Sequence, residues 1–179
     1  MFNDYKWAFF ATEHLINQGY KNIYHLKGKE SVSLTNDRMR GFLEAHSKHK
    51  LPVTKEQIIA TGFTIEDGKR AADEIITSGK IPDAIFASND PCAIGAMQVF
   101  KKRGFKIPKD IAFVGFTESR MGAIIDPPLT SVLQPAIDIG REAAKILIEQ
   151  IENPTTFKPR TIVLNGQLNI RESSILGDE

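Results

Sequence analysis

In FASNDPCAIGAMQVFKKRG, residues 86 to 104, an apolar run ends at Asn89 and Asp90, with Pro91 directly behind them. An amide side chain offers two donors and an acceptor, whereas an ionised carboxylate only accepts, so the pair suits an uncharged polyhydroxyl or otherwise polar ligand. A helix start accounts for the same residues more plainly: Asp90 caps the helix, Asn89 shapes the turn, and Pro91 fills the first turn, where its missing N–H costs nothing. Similar groups end other apolar segments: Asn3 with Asp4 near the start, Phe63 after QIIATG, and Thr117 with Glu118 after DIAFVGF. One capped turn is ordinary, but polar and aromatic groups converging from several strand ends describe a binding site. Arg38, in DRMRGF, is placed in the first turn of a helix, where the helix dipole disfavours a cation. A guanidinium there can fork two bonds to hydroxyls or a carboxylate; the alternative is an arginine on a solvated helix face.

Other chemistry finds less support. No nucleophile elbow, phosphate-cradling Gly-rich loop or HExxH motif occurs, so no catalytic residue, cofactor or metal site is assigned. His46 and His49 in HSKHK have helical spacing but read as a solvated face among lysines, and His14 and His25 lack a recognisable Cys or Ser partner. A net charge of +1 gives no basic surface for nucleic acid, so DNA contact by this chain alone is not expected. The single Cys92 excludes an internal disulfide and fits a reducing cytoplasm. No apolar run is long enough to span a bilayer, and the N-terminus lacks the pattern of a signal peptide.

The elements that must position these residues are short apolar runs alternating with stretches of helical spacing. Strands are predicted at 22–28, 57–63, 83–88, 110–116 and 161–166, nearly continuous in apolar residues, as in a parallel sheet buried on both faces. Between them, Ala8, Ala11, Thr12 and Leu15 line one helix, which ends at Gly19; Met39, Phe42, Leu43 and His46 form a stripe on the next. A third opens on a Thr64/Asp67 capping pair and stops at Gly79, and a fourth runs from Pro91 to Gly104. This alternation predicts an open, mostly parallel α/β sheet with helices on both faces, in three layers, with the ligand crevice beyond the carboxyl ends of the strands. Late in the chain, a Pro-Pro turn leads through a short extended piece to Gln134, and the following helix carries Gly140, Ala143, Ala144, Leu147 and Ile151 on one face.

Read together, HLINQGYKNI, DRMRGF, PDAIFASNDPCAIGAMQVFKKRGFKIPKDIAFVGF, PPLTSVLQP, IGREAAKILIEQI and NIRESS resemble the effector-binding domain of the lactose-repressor/galactose-repressor (LacI/GalR) family of bacterial transcription regulators. The resemblance covers nearly the whole chain and implies a periplasmic-binding-protein-like fold, in which two α/β subdomains clamp a small effector such as a sugar. It implies that residues 1–132 plus 156–179 form the C-terminal subdomain. Residues 133–155 then cross into an N-terminal subdomain that is otherwise missing, as is the helix-turn-helix DNA-binding domain. The resemblance implies that Asn3, Asp4, Arg38, Phe63, Asn89, Asp90, Thr117 and Gln134 are the effector-binding positions. Thr117 departs from the family, which normally has an Asp there. Arg38 is the residue that clasps the effector, and Phe63 stacks on it. The resemblance further implies a cytoplasmic homodimer that uses the helix after Asn89 and Asp90, with Met97 and Phe100 as candidates, and DNA contact only through the missing domain. A periplasmic solute-binding protein is the competing reading, since related stretches occur there.

Overall fold

The computed structural model describes residues 1–176. In chain order its elements are α1 (Asp4–Asn17), β1 (Ile23–Lys27), α2 (Ser33–Lys48), β2 (Ile58–Ala60), α3 (Ile65–Ser78), β3 (Ala84–Ala87) and α4 (Asp90–Lys102). There follow β4 (Ala112–Phe116), α5 (Arg120–Ile124), β5 (Thr130–Leu133), α6 (Ala136–Glu152) and β6 (Gln167–Asn169). The six strands form one sheet in the order β2-β1-β3-β4-β5-β6, parallel throughout except for β6, which runs antiparallel to β5. The strand order reverses between β1 and β3, and in open α/β sheets this is where the crevice for a ligand forms.

Alternation along the strands sorts the core into two halves. Leu26, Ile85, Ala87 and Phe113 face α3 and α4, while Ile23, Ala84, Phe86, Val114 and Phe116 face α1 and α2. The helices pack in pairs at very close range. A Cβ at Gly68 would lie 2.0 Å from the carbonyl oxygen of Cys92, and one at Gly95 would lie 2.0 Å from that of Ile65, so α3 and α4 touch backbone to backbone. Gly95→Ala must push the helices apart and is expected to cost about 3 kcal/mol, read as a lower urea midpoint. Gly140→Ala, in α6 with nothing within 4 Å of the added methyl, should instead stabilise by up to ~1 kcal/mol.

Several sequence expectations change here. Residues 161–166 do not form a strand; only Leu164 bridges Phe2, in parallel, and the added antiparallel strand is β6. The extended piece before Gln134 is a full strand, β5. Met97 and Phe100 cannot serve a dimer surface, because they are 2% and 0% exposed, inside the core against Phe113. His46 is not solvated: it is wholly buried, its Nδ1 donating to the Phe42 carbonyl at 2.9 Å, while His49 pairs with Glu13 at 3.0 Å. His25 lies in the core, stacked between Phe42 and Phe86 with ring centroids at 5.2 and 4.8 Å. Burial pulls its pKa down to about 4, so the ring is neutral.

Helix α6 stands apart. None of its residues is buried, and Ile137, Leu147, Ile148 and Ile151 are each more than half exposed. The chain returns from it through residues 153–166, with Arg160 held by Glu149, and closes on the sheet by a C-terminal clasp. In that clasp Ser173 donates to the Phe113 carbonyl at 2.7 Å and accepts from Thr130 N at 2.8 Å; Ser174 bonds Thr130 and His14. Of the segment 156–179, residues 177–179 lie outside the described residues.

Candidate functional site

The strand ends bring Asp4, Arg38, Ser88, Phe116 and Thr117 together. Helix α2 begins at Ser33 with no side-chain cap, one turn earlier than the sequence suggests, which places Arg38 in its second turn. From there the guanidinium reaches over the end of the sheet. Nε and Nη2 donate to Asp4 Oδ1 at 2.8 and 2.6 Å, Nη1 donates to the Ser88 carbonyl, and Nη2 approaches Thr117 Oγ1 at 3.4 Å. Its carbon lies 3.8 Å above the Phe116 ring. Arg38 is only 3% exposed, so it is no solvated helix residue. Burial pulls its pKa down and the Asp4 charge and hydrogen bonds push it back, which is why a cation can sit so deep.

Both of these bonds fall on Asp4 Oδ1, leaving Oδ2 without a protein partner among the described residues. Asn3 is exposed beside it and caps α1, its Oδ1 accepting from Lys6 N at 2.9 Å. Thr117 is exposed and holds a left-handed backbone, φ +60°. A β-branched residue rarely tolerates that region, and such strain gathers at functional turns. Thr117→Gly is expected to raise stability by about 1 kcal/mol in thermal unfolding, by relieving that strain.

Asn89 and Asp90 depart from the sequence reading: the cap expected of Asp90 is Asn89, and Asp90 is buried away from the strand-end face. Asn89 is the cap: its Oδ1 accepts from Cys92 N at 3.0 Å, and its Nδ2 donates to the Phe63 carbonyl at 2.7 Å. It therefore ties the β2–α3 loop to α4, and its amide is largely occupied. Asp90 does not face the crevice at all. It is 0% exposed, its Oδ2 accepting from Ser119 N at 2.7 Å and its Oδ1 from Ser131 Oγ at 2.5 Å. Burial raises its pKa to about 6, against the pull of the Ser131 and Ser119 bonds. Half-buried Phe63 lies across the end of β1, where a Cβ at Gly28 would come within 2.3 Å of its ring. Gln134 is half-buried on the connection from β5 to α6, and among the described residues no hydrogen bond joins it to the Arg38 cluster.

Two members of the cluster escaped the sequence reading. Ser88 and Phe116 are the last residues of their apolar runs, and that position was the available signal. Ser88 also accepts the Gly28 amide at 2.9 Å, so it joins β1 to β3 at the point where the strand order reverses. What the face offers chemically is an open carboxylate oxygen, a threonine hydroxyl, the Asn3 amide and, at its side, the half-buried ring of Phe63, with its one buried cation already paired. That set suits hydroxyl groups on a flat or ring-shaped neutral molecule. Among the described residues no group of three or more His, Cys, Asp or Glu side chains could hold a metal, and no helix is long and apolar enough to cross a membrane. A groove of about 1150 Å³ lies between α3 and α4, lined by charged residues such as Lys69, Asp73 and Arg103 and by no member of this cluster.

Comparison with known proteins gives the family of the fold. Residues 12–174 match the family described as the periplasmic binding protein-like domain. The chain is 33% identical over 172 residues to the HTH-type transcriptional repressor PurR of Actinobacillus pleuropneumoniae, covering 96% of this chain and 51% of that protein. It thus spans about half the length of that relative. Among solved structures, a transcriptional regulator CelR–cellobiose complex superposes with a TM-score of 0.90 at 30% identity, over 96% of this chain and 52% of the other. A LacI family transcriptional regulator from Enterococcus faecium with bound ribose gives 0.87 at 25% identity, over 97% of this chain and 63% of the other. The fold, the strand-end cluster and these matches lead to one assignment: the chain belongs to the periplasmic binding protein-like domain family, in the form carried by LacI-family regulators.

Proposed function

We propose that this chain is the ligand-sensing domain of a bacterial transcriptional regulator in the cytoplasm, binding a small neutral effector, a sugar, to control DNA binding by a helix-turn-helix domain outside it. The observation that carries this reading is the Asp4–Arg38–Thr117 cluster, presented at the strand ends where the sheet order reverses. The repressor relative supports a regulator over a periplasmic solute-binding protein, and the cellobiose and ribose complexes support a sugar. Catalysis has no comparable support, since the relatives are named as repressors and regulators.

In this proposal residues 1–132 and 156–179 form one lobe, and 133–155 cross to a second lobe that closes on the effector. An amphipathic helix whose apolar face has no buried residue is what such a crossing element looks like when its own lobe is not present. Effector bound between lobes can shift their orientation only by its differential affinity for the open and closed states, and the full regulator, as a homodimer, would pass that shift to DNA. Thr117, standing where the family normally has an Asp, removes a charged acceptor and narrows the choice of sugar.

Calorimetric titration with a panel including ribose and cellobiose tests the reading. This chain alone should bind weaker than micromolar, and the same lobe joined to its second lobe should bind one member tightly. Micromolar binding by the chain alone would overturn the one-wall arrangement, and no binding by the two-lobe protein would overturn the sugar assignment.

A further inference from the structure

Asp90 is a buried carboxylate that the ligand face does not use directly, and the chain goes to some length to house it. Gly115 on β4 and Gly122 on α5 leave it room: a Cβ at either would fall 2.2 or 2.6 Å from its oxygens. Three elements meet on it. Asp90 opens α4, Ser131 bonds it from β5, and the Ser119 amide bonds it from the β4–α5 loop. That loop is the one that holds Thr117 at φ +60° beside Arg38. The Glu118 amide is tied to the Val132 carbonyl at 3.0 Å, and the Glu118 carboxylate to Arg171 at 2.6 Å and Asn169 at 2.5 Å. The turn is therefore gripped on both sides, and Ser119 is its inner anchor.

We propose that Asp90 is a positioning residue for the ligand face: its carboxylate holds the Thr117–Ser119 turn against the end of the sheet and so fixes Thr117 beside Arg38. This rests on the strand-end cluster being the ligand face. The geometric reason is that a carboxylate is acceptor-only, so its two oxygens can take donors from β5 and from the β4–α5 loop at once. An amide in its place keeps only one acceptor oxygen, and a neutral one, so the Ser119 amide meets either a donor or a weaker acceptor. A hydrogen bond to a charged acceptor is worth more than a neutral one, so releasing it frees the turn by a measurable factor.

The test is amide hydrogen exchange and chemical shift on the ¹⁵N-labelled 179-residue chain. In Asp90→Asn the Ser119 amide should exchange at least about tenfold faster relative to the Phe113 amide in the core, and the Thr117 resonance should shift. Ser131→Ala removes the bond to the other oxygen and serves as the control: it should lower stability yet leave Ser119 protected. An Asn variant with Ser119 still protected overturns the proposal. So does a Ser131→Ala variant that releases Ser119 as fully, because Asp90 would then act only through general stability.

If Asp90→Asn fails to fold, the unmodified chain decides the matter by its pH profile. The charged neighbour of Asp90 is Glu118, already paired with Arg171, so the Ser119 amide shift should follow the Asp90 carboxyl carbon through a common midpoint near the carboxyl pKa of about 6. A Ser119 amide that stays flat while that carbon titrates overturns the proposal. None of these readouts uses a ligand. Titrating the same sample with ribose and with cellobiose tests the ligand-face reading separately, so the two can fail independently.

Discussion

Replacing Arg38 by Ala is expected to lower the unfolding free energy by about 3–5 kcal/mol, the largest effect of any single polar change in this chain. The reasoning starts from what the guanidinium leaves behind. Asp4, whose side chain is 14% exposed, loses its charge partner; the Ser88 carbonyl loses a donor; and the Phe116 ring loses the plane stacked on it. Removing one member of a buried ion pair is costly because the other charge stays desolvated. Removing both together is far milder. A double-mutant cycle follows: Arg38→Met with Asp4→Leu should cost less than Arg38→Ala alone, with a coupling of a few kcal/mol measured by urea denaturation. Arg38→Lys should recover little, since one ammonium cannot serve Asp4 and the Ser88 carbonyl and also stack on a ring. An Arg38→Ala protein within about 1 kcal/mol of the parent would show that the cluster contributes nothing beyond surface charge.

The second large effect is in acid. The unfolded chain takes up a proton at His25 near the ordinary 6.5, whereas the native core accepts one only at about 4. This contribution to stability is complete above 6.5 and falls away as the pH drops toward 4. Between pH 7 and 5 it amounts to a loss of about 2 kcal/mol. Asp90 works in the opposite sense. Its native pKa is raised to about 6 from 3.8, so its contribution is fully present below 3.8 and is lost as the pH rises through 6. Going from pH 7 to 5 it returns about 1 kcal/mol. The parent should therefore lose only a modest amount over this interval, with His14 and His46, both lowered by burial, adding to the His25 side. Asp90→Asn should expose the steeper histidine loss, and His25→Phe should remove most of it. Urea midpoints at the two pH values decide between this balance and its absence; equal slopes in all three proteins would sink it.

How much of this was legible in the residues depends on whether the signal was local. Strands such as DAIFAS and DIAFVGF announce themselves by continuous apolar runs, and Thr64 with Asp67 forms the capping box their spacing suggested. Arg38, Asp4 and Thr117 were assigned to one site, and the structure brings those three together. The cap was expected of Asp90 and is Asn89, because a cap preference treats neighbouring Asn and Asp alike, and nothing local showed that Asp90 would be buried. Nothing local reveals that Gly115 and Gly122, 25 and 32 positions beyond Asp90, will leave a carboxylate-sized space between them. The stripe on the second helix included His46, but the lysines beside it in sequence argued for a solvated face, and they do not surround it in space. Met97 and Phe100 failed as surface residues for the same reason: α4 is nearly all apolar, so periodicity could not say which side faces out.

The detachment of α6 has a thermodynamic consequence. A helix of 17 residues is near the shortest length that holds together in water by itself, and this one is helped only by exposed ion pairs, Asp138 with Arg141, Glu142 with Lys145 and Glu149 with Arg160 of the returning segment. Its order and that of the sheet are thus not one cooperative event. In this chain the far-UV signal of α6 should melt over a broad, low-temperature range while the near-UV signal of Trp7 and the core phenylalanines stays native, giving two transitions where a single domain would give one. Whatever eventually covers Ile137, Leu147 and Ile151 would then be doing more than filling a surface: it would supply the free energy that turns a fraying helix into a rigid coupling arm.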